Sequence, residues 1–200
     1  MTDNEILESL QKVLNKIHDP KTGAFRGAKK FANGITTTRL AISKGVSTKD
    51  VRFDISGKEF YEQRLGDLAS CTGMTKLFLY AAKDSGLDLK AVITTEIDCL
   101  NAGKSNIGHV VPAVKLSDGQ YHIFEPRCRN VMGQDFQRML KQPIEIGKPV
   151  FHILNAIKDK PYEVIDIISG EELEQIKTMD AIINKSRRKI SIPQKSIERD

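Results

Sequence analysis

Cys71 stands where a turn-like segment, Gly66-Asp67-Leu68-Ala69-Ser70, runs into an apolar stretch with helical spacing, Cys71-Thr72-Gly73-Met74-Thr75-Lys76-Leu77-Phe78. A helix start offers unpaired N–H groups and a partial positive charge, which favour thiolate over thiol and can hold a developing oxyanion. A cysteine there is placed as a nucleophile would be. Downstream, Gly108-His109-Val110-Val111 opens a strand, and Tyr121-His122-Ile123-Phe124-Glu125-Pro126 closes the next one. A base and an acidic orienter thus follow the thiol in order, and Cys71, His109 and Glu125 form a candidate catalytic triad.

Whether the last two can meet depends on the turn between their strands, at Ser117-Asp118-Gly119-Gln120. A two-residue loop, Asp118-Gly119, puts Glu125 opposite Pro112, on the wrong face. A three-residue loop, Ser117-Asp118-Gly119, with Gly119 left-handed in a bulged turn, pairs Leu116 with Gln120 and brings Glu125 opposite Val111. Val111 shares a face with His109, and diagonal partners lie about 7–8 Å apart at the backbone. The expectation is the three-residue loop.

Around these residues the chain reads as α+β, one helix feeding an antiparallel sheet. Ile6, Leu7, Leu10, Val13, Leu14 and Ile17 predict an amphipathic helix over 3–17, capped by Asp3 or Asn4. Positions 19–45 carry weak periodicity, with Ile35 to Ile42 a strand or a helix start. Phe53, Ile55, Phe60, Tyr61 and Leu65 lead towards the cysteine in a loop that could wall a cleft. A helix is expected over 72–85 with Met74, Leu77, Phe78, Ala81 and Ala82 buried, ended by Gly86. Strands follow at 91–95, 109–116, 121–125, 151–154 and 162–168, with a polar loop at 101–106. Ser169-Gly170-Glu171-Glu172 is a capping-box start for a polar helix, and 186–200 reads as a frayed tail. The expected division is a lead-in over 1–45, a catalytic core over 46–168 and a polar helix with basic tail over 169–200.

The 200 residues, 40% of them hydrophobic, can bury one core. The chain has no apolar run long enough for a membrane span, and Met1-Thr2-Asp3-Asn4-Glu5 lacks the basic and apolar regions of a secretory signal, so the expected location is cytoplasmic. Its formal charge of +5 draws on two clusters, 21–30 and 185–189. Both are short and lack interleaved aromatics, so they are read as solvated surface, not as a nucleic-acid footprint. Three cysteines without close pairing suggest neither a disulfide framework nor a metal knuckle. Cys99 and Cys128 are read as structural, His122 and His152 as core or sheet-surface residues, and His18 as a helix-end residue. No cofactor or metal is expected.

The order of these pieces over 66–127 resembles the transglutaminase-like superfamily, which shares a papain-like core. The matching segments are Cys71 to Phe78, Ser85 to Val92, Gly108 to Val114 and Asp118 to Pro126. The resemblance implies Cys71 as nucleophile, His109 as general base and then acid, and Glu125 as the group orienting the imidazole, where the family usually carries aspartate. It also implies acyl transfer through a thioester. Water as acceptor makes a peptidase, amidase or deamidase acting on a peptide or protein amide; an amine makes a protein-glutamine transglutaminase. Leu68-Ala69-Ser70 stands where arylamine N-acetyltransferases carry Arg-Gly-Gly, which disfavours acetyl-CoA chemistry. The Cys71 N–H is one oxyanion donor and Gln63 the candidate for a second. A non-catalytic binding domain on the same core is the rival reading, since the chain has no tryptophan to line a cleft.

Overall fold

The computed structural model describes residues 1–25, 55–96, 107–151 and 162–177. The expectations for 26–45, 101–106 and 152–154, for Phe53, Cys99 and His152, for the tail, and for most of both basic clusters lie outside them. Helix α1 (Asp3–His18) buries Ile6, Leu10, Val13, Leu14 and Ile17. Its cap is Thr2, not Asp3 or Asn4, because Thr2 and Glu5 exchange hydrogen bonds in a capping box. Two short helices follow, α2 (Gly57–Glu62) and, after a 3-10 turn at Gly66–Leu68, α3 (Cys71–Ala81).

The sheet is antiparallel, in the order β3-β2-β1-β5-β4, built from β1 (Leu89–Glu96), β2 (Ile107–Lys115), β3 (Tyr121–Ile123), β4 (Pro149–Val150) and β5 (Tyr162–Ile168). Together with its helices it makes an α+β fold. Two further helices, α4 (Gln134–Leu140) and α5 (Gly170–Gln175), complete the described elements. Strand alternation sorts the core into two sides. Ala91, Ile93, Val110 and Ile168 pack with Leu79 of α3 and Leu173 of α5, whereas Val92, Val111, Ala113 and Val164 pack with Met139 of α4. Phe136 and Leu140, from the same α4, join the helical core of α1 and α3, so this helix sits astride the β3 end of the sheet. Ile144, just beyond it, donates its N–H to Tyr121 O and covers the outer edge of β3.

The β2–β3 hairpin has the three-residue loop. Lys115 pairs with Tyr121 and Ala113 with Ile123, Leu116 N–H donates to Gln120 O, and Gly119 has φ +80°. Strand β3 ends at Ile123, short of the expected 125, because Phe124 N–H makes the last ladder bond, to Pro112 O, and Glu125 then begins a turn closed by Cys128 N–H on its carbonyl. Pro126 fits the second position of that turn, where its fixed φ is preset. Of the expected 151–154 strand only Phe151 is described, and β4 ends just ahead of it at Val150.

Helix α3 is shorter than expected. It stops at Ala81, and the chain turns through Lys83 and Ser85, whose hydroxyl donates to Ala82 O, before Gly86 takes φ +73°. In the described part of the segment ahead of it, expected as a loop, residues 57–62 are helical. They are capped reciprocally by Ser56 and Glu59, with Ile55 and Phe60 buried in the core.

Helices α2 and α3 touch through two glycines. A Cβ on Gly73 would meet the Phe60 ring at 2.7 Å, and one on Gly57 would collide with the backbone carbonyl of Lys76. Glu174 of α5 closes the junction: Oε1 accepts the Gly57 N–H at 2.7 Å, and Oε2 lies 3.4 Å from the Nζ of Lys76, whose side chain is wholly buried. Helix α5 thereby holds the first turn of α2 and the middle of α3 together. Gly57→Ala should destabilise the protein in denaturant melts by about 3 kcal/mol, the upper end of the usual range for overpacking a filled core. Gly73→Ala should lose less, because the tip of a phenyl ring can move and a helical carbonyl cannot; equal losses would contradict this account.

Candidate active site

Cys71 is the first residue of α3, and Ser70 is its N-cap, with Oγ accepting the Gly73 N–H at the long distance of 3.5 Å. The thiol is therefore at the positive end of a helix, half-buried, with Sγ 4.0 Å from Thr72 Oγ1. The first turn of α3 lies against β2 where β3 no longer covers it. Beyond Pro112 the β3 ladder stops, and the Val110 carbonyl instead accepts the Thr75 hydroxyl at 3.0 Å. The same hydroxyl lies 3.0 Å from Cys71 O, one turn back. One threonine thus fixes the start of α3 to the residue after His109.

His109 is held from the other side by β1. Thr94 pairs with it and donates its hydroxyl to His109 O at 3.1 Å. Register then slips: Thr95 pairs with Ile107, leaving Gly108 as the extra residue of a bulge beside the histidine. Bulges re-aim a neighbouring side chain, and glycine accommodates the distortion readily. The imidazole is 4% exposed, 6.4 Å from the ring of Tyr162 between centroids.

Glu125, 6% exposed, brings Oε2 to 3.9 Å from His109 Nε2. That is an ion-pair distance, longer than a hydrogen bond. Its second oxygen, Oε1, accepts the Arg127 N–H at 3.1 Å, with Arg127 Nη1 at 3.6 Å. The turn is pinned from α1 as well: His18 Nε2 donates to Pro126 O at 2.9 Å, and the His18 ring stacks on Phe25. Burial, and then the charge of Arg129, hold His18 below the usual histidine range despite that hydrogen bond, which suits a neutral donor.

The electrostatics of His109 follow from its two neighbours. Burial disfavours an imidazolium, but the polar and charge interactions with Cys71 and Glu125 outweigh it and raise the pKa from 6.5 to about 9. All three triad candidates are thus brought together.

Gln63 is the exposed C-terminal cap of α2, with its N–H donated back to Glu59 O. Cys128 closes the Glu125 turn, and burial, followed by the charges of Glu125 and Asp135, pushes its thiol up to about 11. His122 is buried on β3 with Nε2 3.0 Å from Asp118 Oδ2. Among the described residues no cluster of His, Cys, Asp and Glu is arranged to hold a metal, and no helix is long and apolar enough to cross a membrane.

Sequence reading missed Thr75, Thr94, Arg127 and the anchoring part of His18. Threonine at mid-helix and mid-strand carries no local signal of its partner. Arg127 had one: a basic side chain two residues after the acid, across a proline turn.

A titration of the His109 ring protons by NMR should show a midpoint near 9 in the wild type. In Cys71→Ala the burial that lowers the pKa remains while one of the two groups that raise it is gone, so the midpoint should fall. A wild-type midpoint at or below 6.5 would contradict the arrangement. No protein-family model, curated protein or solved structure matches this chain.

Proposed function

We propose that this protein is a thiol-dependent acyl-transfer enzyme on a papain-like, transglutaminase-like core, hydrolysing an amide bond of a peptide or protein in the cytoplasm. The observation that carries the reading is the buried imidazole flanked by a helix-N-terminal cysteine on one side and a buried carboxylate on the other, with its proton retained up to about 9. An imidazole protonated above neutrality beside a thiol is the electrostatic partner of a thiolate.

In the first half-reaction the Cys71 sulfur attacks the carbonyl carbon, and the carbonyl electrons move to oxygen. The Cys71 N–H at the start of α3 is directed at that oxyanion, with Gln63 the candidate for a second donor. The imidazolium proton of His109 passes to the departing nitrogen, the C–N bond breaks, and a thioester remains on Cys71. Neutral His109 then takes a proton from water, the oxygen attacks the thioester carbonyl, and the thiolate leaves as the carboxylic acid is released. Glu125 keeps the ring oriented and offsets its positive charge throughout. An amine in place of water gives transamidation by the same steps.

Incubation with a p-nitrophenyl ester, followed by intact-mass spectrometry, should trap an acyl group on Cys71 that hydroxylamine removes. His109→Ala should slow acylation by roughly 10²–10⁴-fold, the usual worth of a general acid–base group, and Cys71→Ala should abolish it. Decay of the adduct in buffer alone supports hydrolysis; an adduct that persists until a primary amine is added would replace hydrolysis with transamidation. Equal acylation of Cys71→Ala and wild type would overturn the proposal.

A further inference from the structure

Arg127 touches both ends of the candidate machinery. Its main-chain N–H and its Nη1 face Oε1 of Glu125, at 3.1 and 3.6 Å, on the side of the carboxylate away from His109. Its Nη2 donates to Ala69 O at 3.0 Å, in the segment that leads through Ser70 into Cys71. The side chain is 27% exposed, whereas that of Glu125 is 7% exposed. A planar guanidinium can make two such contacts at once along fixed directions, which an ammonium cannot do.

We propose that Arg127 is a positioning residue of the triad, bridging the acid to the backbone that carries the nucleophile; this rests on the acyl-transfer reading of the site. One end of the bridge occupies Oε1, so that Oε2 is the oxygen turned to the imidazole. The other end holds Ala69, two residues before the Cys71 N–H that faces a developing oxyanion. Together they fix the distance between the start of α3 and the Glu125 turn. The carboxylate sits between two cations, guanidinium and imidazolium, and keeps a negative charge available to the ring. The charged and titratable groups around this bridge are Cys71 from α3, His109 from β2, Cys128 at the end of the turn, Asp135 acting on Cys128, and His18 from α1 with Arg129 acting on it.

The test is the pH profile of iodoacetamide labelling of Cys71, read by peptide mass spectrometry, with Cys128 as an internal comparison, in wild type, R127A and R127K. In the wild type, labelling of Cys71 persists into mildly acidic pH. In R127A the acid limb should move up by about one pH unit, which is about a tenfold loss of rate on that limb. R127K should fall between the two, and added guanidinium should restore R127A. A purely structural role would lower the melting temperature and leave the profile in place, so an unshifted limb in R127A overturns the inference. If R127A does not hold its fold, R127Q, which can still donate to Ala69 O but carries no charge, is read by the same criterion. A wild type that lacks fast acidic labelling of Cys71 overturns the acyl-transfer reading itself, a failure distinguishable from that of Arg127 alone.

Discussion

One hydroxyl proton joins the two halves of the site. Thr75 Oγ1 lies 3.0 Å from both the Cys71 carbonyl and the Val110 carbonyl, so the first turn of the helix that carries Cys71 and the strand that carries His109 share a donor. The Val110 carbonyl accepts this side chain where the β3 ladder has stopped. A buried backbone acceptor without a partner is expensive, by about 1–3 kcal/mol, so the end of β3 both creates a place for α3 and makes docking there favourable. The short β3 is thus part of how the site is made.

Around that contact the polar groups are arranged in a chain. His18 holds Pro126, Pro126 shapes the Glu125 turn, Arg127 ties Glu125 to the approach to Cys71, and Thr94 holds the His109 carbonyl from β1. The tethers come from α1, from β1 and from the turn itself, which matters because an ion pair in a low-dielectric site is only as strong as its geometry is fixed. The Lys76, Glu174 and Gly57 junction does the same further along α3, so the helix bearing the thiol is held at its first turn by β2 and at its middle by α5.

Much of this was legible in the sequence. The alternation from Tyr162 to Ile168 marked β5 at its true limits, Ser169 and Glu172 marked the start of α5, and counting residues around Gly119 placed Glu125 on the face of His109. These are local patterns, where residue type and period decide. Helix α2 was readable from the Ser56 and Glu59 capping box, but its two buried positions, Gly57 and Phe60, are too few to show a helical period. Helix α4 has seven residues and an uncapped glycine start, so neither signal was present. The tethers were hidden for another reason. Lys76 interrupts an apolar face until Glu174 arrives from the end of the described chain, and His18 meets Pro126 from 108 positions away. Local reading finds the reactive groups; the groups that hold them are found only once the chain is folded.

The proposed chemistry requires a thiolate and an imidazolium to coexist at neutral pH. The most direct measurement is the ultraviolet thiolate absorbance of the wild type minus that of Cys71→Ala, followed across pH. A catalytic pair gives a difference signal that is already present well below pH 7 and vanishes only in acid. A signal that appears only as pH rises through about 8.5, the range of an ordinary thiol, would mean that Cys71 and His109 are neighbours without being a catalytic pair.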